Sequence, residues 1–119
     1  MRTIIALAMI LTASVAPAQE RPATVAGAGV FTCAQFAQYY KQDSDNEGVY
    51  FTWAQGFFSG ANMLVIAHQG TTRDLSSISV EQQLRFLRDY CDKHPLAMYM
   101  EGVLALYAHF KPGDWRPGK

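Results

Sequence analysis

The sequence predicts an all-α fold, a compact bundle of about four helices with one disulfide linking helix 1 to helix 3. Three observations support this. Apolar residues recur at spacings of three and four in separate segments, and no segment alternates convincingly as a strand would. The only two cysteines, Cys33 and Cys91, each fall on the apolar stripe of their segment. The chain also opens on a secretory layout, and an oxidising compartment favours pairing of two such thiols.

The opening MRTIIALAMILTASVAPA has a basic start at Arg2, an apolar run from Ile4 to Leu11, and small residues at Ala16 and Ala18. This is the pattern of a signal peptide over residues 1–18, cleaved near Ala18-Gln19. The expected location is periplasmic or secreted; an uncleaved anchor is the alternative. Removing Arg2 leaves nine Lys and Arg against ten Asp and Glu in a mature chain of 101 residues. That size suits one domain, and the near-neutral charge gives no case for nucleic acid or an anionic membrane as partner.

Residues 19–30 are small and loose, and are expected to be a flexible N-terminal arm before a helical domain over 31–110. Thr32 and Gln35 fit a capping box, in which each side chain satisfies a backbone N–H of the other. Cys33, Phe36, Ala37 and Tyr40 then share one helical face, and the helix is expected to end near Gln42. DSDNEG, residues 43–48, reads as an acidic loop.

From Val49 to Ala67 there is no charge. Thr52, Gln55, Ser59, Asn62 and Gln69 make one polar stripe, and most of the rest is apolar. Such a helix is expected to be buried on several sides. Trp53, Gly56 and Gly60 are candidate helix-packing residues. Each glycine costs about 1 kcal/mol against alanine in a helix, which close approach of a neighbouring helix would offset. A membrane span is the competing reading for this stretch. The polar stripe opposes it, as does the need to bring Cys33 and Cys91 to one side.

Gly70 is expected to close this helix, with TTRDLSSIS as the connecting loop. Ser79 and Gln82 repeat the capping-box pattern, and Val80, Leu84, Leu87 and Cys91 form the stripe of the next helix. Both cysteines thus face the core. A bridge between them closes a 58-residue interval, for which chain entropy suggests about 4 kcal/mol. Free reactive thiols are the alternative. Pro95 suits the first turn of a last helix striped by Leu96, Tyr99, Met100, Val103, Tyr107 and Phe110. Glu101 is the only charge between Leu96 and Ala108, so this helix is either central or covers a partner. Residues 111–119 are expected to be a flexible tail.

Chemistry is sparse. His68, His94 and His109 are scattered, with no metal-ligand spacing, and DSDNEG lacks the ligand pattern of a calcium loop. His94 near Met98 and Met100 could suit copper, but a capping histidine beside core methionines is the simpler reading. No nucleophile–base arrangement or phosphate loop is evident. The expectation is a protein that is not an enzyme and uses no metal or cofactor.

TC-x-x-F at Thr32, Cys33 and Phe36, W-x-x-G-x-x-x-G at Trp53, Gly56 and Gly60, and YC-x-x-x-P at Tyr90, Cys91 and Pro95 together resemble the HdeA/HdeB family of small periplasmic acid-stress proteins. The resemblance covers roughly residues 31–107. It implies a helical fold with one disulfide from the first helix to a later one, and ATP-independent chaperoning in acid. The apolar last helix and the loop from Gly70 to Ser79 depart from that pattern. GFFSG, QQLRFL, HP and GVLALY are also similar to exported immunity proteins of the Rap1a/Tai type, which neutralise toxins.

The implied partner is therefore a protein, either an unfolded client or a specific toxin, with a homodimer as a further candidate. Phe57, Phe58, Leu96, Met100, Val103, Leu104 and Tyr107 are the candidate client or partner surface.

Overall fold

The computed structural model describes residues 24–115 and Gly118. The expected leader over 1–18 and the start of the arm lie outside the described residues. Four α-helices carry the fold: α1 (Cys33–Gln42), α2 (Ser44–Ala67), α3 (Val80–Lys93) and α4 (Tyr99–His109). A short 3-10 helix, Gly27–Val30, precedes them. The described residues contain no strand, only isolated bridges, and no helix among them is long and apolar enough to cross a membrane.

Cys33 of α1 and Cys91 of α3 are disulfide-bonded and almost fully buried. Around them lie Phe36, Leu87, Tyr99, Val103, Leu106, Phe58 and Phe110, each about 1% exposed or less. This is the joint predicted from the two apolar stripes. Both capping boxes are also present: the Gln35 N–H donates to the Thr32 hydroxyl at 3.2 Å, and the Gln82 N–H to the Ser79 hydroxyl at 3.3 Å.

Three helix boundaries differ from expectation. DSDNEG is not a loop: Asp43 caps α2 by accepting the Asp45 N–H at 3.0 Å, and Asp45 and Glu47 place negative charge in the first turn. Such charge complements the helix dipole, so an acidic run can open a helix. At the other end Gln69, not Gly70, takes the left-handed conformation, with φ 57°. Gly70 N–H bonds the Val65 carbonyl at 2.8 Å and Gln69 N–H the Ile66 carbonyl at 3.0 Å, the paired bonds of a Schellman ending.

The last helix begins at Tyr99 rather than at Pro95. Residues 95–97 turn instead, with the Ala97 N–H on the His94 carbonyl at 3.1 Å and Met98 extended after them, and their backbone serves α1. Cys33 N–H donates to the Ala97 carbonyl at 2.8 Å and Ala34 N–H to the Pro95 carbonyl at 3.0 Å. Tyr99 N–H in turn donates to the Phe31 carbonyl at 2.8 Å. Two of the orphan donors at the start of α1 are thereby satisfied by a distant segment.

Both presumed flexible ends are partly fixed. Residues 27–30 pack against α2 and α4, with Ala28 and Gly29 buried. In the tail, Asp74 N–H donates to the Lys111 carbonyl at 2.8 Å and Gly113 N–H to the Thr72 carbonyl at 2.7 Å.

Candidate functional site

Twenty-four residues make α2 about 36 Å long. Its neighbours have only 10 to 14 residues. It therefore outruns them, and the expectation of burial on several sides fails. Tyr50, Phe51, Ala54 and Phe58 face the core, whereas Val49, Met63 and Leu64 are each more than 60% exposed. Gly56 and Gly60 sit on the outward face with open space where a Cβ would stand, so they are not the packing glycines. Close approach is made by Gly29 against the Trp53 ring, and by Gly102, where a Cβ would lie 2.8 Å from Tyr90.

Trp53 does pack as expected, but against residues 26–29. Its indole N–H donates to the Ala26 carbonyl at 2.9 Å. From there an aromatic seam runs along α2 toward α4. Trp53 stacks on Phe57 with centroids 6.0 Å apart, and Phe58 stacks on Tyr107 at 6.0 Å and meets Phe110 at 5.1 Å. At the other end Phe36, Tyr50 and Tyr99 meet with centroids about 5 Å apart. Burial pushes the Tyr99 phenol up from its ordinary pKa, helped by the nearby Glu47 charge. Burial also raises that of Tyr50, whose hydroxyl has no hydrogen-bond partner among the described residues.

The expected client surface divides accordingly. Phe58 and Val103 are fully buried, which corrects their placement on a surface. Phe57, Met100 and Tyr107 are half-buried, Leu104 is 46% exposed, and Leu96 is 92% exposed. Only the last five are available to a partner in the native fold.

Two polar features fasten α2 to the rest. Glu47 in its first turn takes a two-pronged ion pair from Arg88 of α3, at 2.5 and 2.6 Å. Arg88 also lies over the Tyr40 ring at 5.9 Å. The bond to Glu47 raises the guanidinium pKa further. Further along α2, Asn62 grips a distant segment as a neighbouring strand would. Its amide nitrogen donates to the Arg73 carbonyl at 2.9 Å, and its oxygen accepts the Arg73 N–H at 2.8 Å. The same oxygen accepts the Tyr107 hydroxyl at 2.9 Å, so one side chain joins α2, the loop and α4.

Sequence reasoning placed Asn62 on a polar stripe without this role. It did not see the Glu47–Arg88 pair at all, because the two residues are 41 positions apart and carry no local signal.

Beside Asn62 lies a cavity of about 380 Å³. Met63, Ile66, Leu75 and Trp115 give it apolar walls, and Thr72 and Gly113 lie in its lining. No group of three or more His, Cys, Asp or Glu suited to a metal ion occurs among the described residues. Comparison with protein-family models, with curated proteins and with solved structures finds no match to this chain.

Proposed function

We propose that this is an exported protein-binding protein that loosens in acid and shields unfolded polypeptides. The observation that carries this reading is how α2 is attached. The disulfide ties α1 to α3, and α4 packs on α3. Helix α2, by contrast, has no covalent tie: it leans on α1 and residues 27–30, meets α4 through aromatic side chains and Asn62, and reaches α3 through the Glu47–Arg88 pair. Its inner face holds Tyr50, Phe51, Trp53, Phe57 and Phe58.

Acid acts on this attachment in one direction. The attachment of α2 uses carboxylates, Glu47 against Arg88 and Asp43 at the cap. Bonds from Ser76 hold the Asp74 carboxyl below its usual range. Its contribution to stability is therefore present above the ordinary carboxylate range, and is lost as pH falls through the lowered value. In the mature chain, full protonation of the carboxylates and charging of the three histidines would move the side-chain charge from about −1 to about +12. Self-repulsion then favours release of α2 and exposure of its aromatics, while the staple limits how far the chain opens.

The test is light scattering from a denatured client at about pH 2–3 and at pH 7, with and without the protein. The expected result is suppression of aggregation in acid alone. The second reading is an immunity-type inhibitor, which needs a rigid surface at neutral pH. The outward, uncharged face of α2 favours it. No protection at either pH, together with tight capture of one specific partner at pH 7, would replace the first reading with the second.

A further inference from the structure

The cavity beside Asn62 has features that packing alone does not require. Trp115 is 56% exposed and Met63 is 61% exposed, yet both lie in its lining with Ile66 and Leu75. Thr72 is only 4% exposed, and its hydroxyl makes no hydrogen bond to a described residue yet is not sealed from solvent, so it opens toward the cavity it lines. A hydroxyl open to a cavity can exchange its water for a ligand's hydrogen bond. Gly113 keeps that hydroxyl open. A Cβ there would stand 2.8 Å from the Thr72 oxygen and within 3.1 Å of the Arg73 and Asp74 backbone.

The rim carries both signs of charge. Asp74 and Asp114 line the cavity, but so does Arg73, and Lys111 lies close enough to act on Asp74. Arg73 also commits one nitrogen to the Phe110 carbonyl at 3.1 Å. Such a rim selects neither a cation nor an anion. The Ser59 hydroxyl is turned back to the Gln55 carbonyl at 2.9 Å, and Asn62 is occupied by Arg73 and Tyr107. Thr72 is left as the uncharged side-chain group free to orient an occupant, beneath walls suited to a flat ring.

We propose that this cavity binds a small neutral aromatic molecule bearing one hydroxyl, with the ring against Trp115 and Met63 and the hydroxyl bonded to Thr72. Its volume lies at the low end of ligand pockets, roughly 300–1,000 Å³. Sulfur–ring contact at Met63 and stacking on the indole both favour an aromatic body. The site is present in the folded protein at neutral pH, so it stands apart from the acid-dependent reading above.

The test is a titration of the full mature chain at pH 7, followed by the indole N–H signals in NMR. The two tryptophans are assigned with Trp115→Phe. p-Cresol is the probe, toluene its counterpart without the hydroxyl, and p-toluate its anionic counterpart. p-Cresol should move the Trp115 signal while Trp53 stays fixed, and should bind more tightly than either counterpart. Thr72→Val should weaken p-cresol by about 5–10-fold, the loss of one net hydrogen bond, and leave toluene unchanged. Thr72→Ser should restore p-cresol binding, and thermal melts of each variant check that the fold is intact. A still Trp115 signal overturns the proposal. So do equal p-cresol binding by wild type and Thr72→Val, and a preference for p-toluate.

Discussion

The seam between α1 and α3 and the seam along α2 solve the same problem with different chemistry. The first is short, covalent and closed. Two buried sulfurs are joined, and the start of α1 is roofed by the carbonyls of residues 95 and 97. The second is long and open. It relies on an ion pair near one end, an amide near the other and aromatic packing between them, with one side of the helix left to solvent. The contrast shows that a helix uncharged over most of its length need not be a central one. What decides its burial is whether its neighbours are long enough to cover it.

The largest test of that contrast removes the covalent seam. Replacing Cys33 and Cys91 together by alanine should cost about 4 kcal/mol, measured by urea unfolding with matched controls, since the bridge closes a 58-residue interval. If stability hardly changes, the α1–α3 joint does not depend on its bond, and the two seams are alike.

A smaller loss is expected where residues 27–30 meet α2. Gly29→Ala would drive a Cβ into the Trp53 ring, and the ring is anchored through its N–H to Ala26. A cost of about 1–3 kcal/mol is expected, with a red shift of Trp53 fluorescence as the indole is displaced toward water. An unchanged melting curve would mean that residues 27–30 yield freely and do not brace α2.

The smallest effect has the opposite sign. Gly56→Ala and Gly60→Ala meet open space on the outer face, so each should stabilise the protein by about 0.5–1 kcal/mol. Chemical denaturation of the two single variants measures it. A loss instead would mean that something covers that face in solution, and α2 would have a closed seam after all.

The sequence disclosed features whose cause lies within a turn or two of helix. The capping boxes at Thr32 and Ser79, the bounds of α3 and the inward direction of both cysteines follow from spacing alone. The acidic opening of α2 was hidden because Asp, Ser, Asn and Gly suit loops as readily as helix starts; only the cap made by Asp43 separates the two. Gly56 and Gly60 misled because their spacing describes a smooth face but not what stands against it. The cavity beside Asn62 joins residues 59–66, 72–75 and 113–115, so no local pattern could announce it. The Glu47–Arg88 pair belongs to the same class of long-range arrangement.

The carbonyls of Pro95 and Ala97 have a bearing on how the chain matures. By hydrogen-bonding the amides of Cys33 and Ala34, they moor the strip just beyond Cys91 to the very residue it must oxidise with. These bonds hold the two cysteine-bearing segments together independently of the sulfur–sulfur bond. An arrangement of this kind favours closure within a single molecule over cross-linking between two.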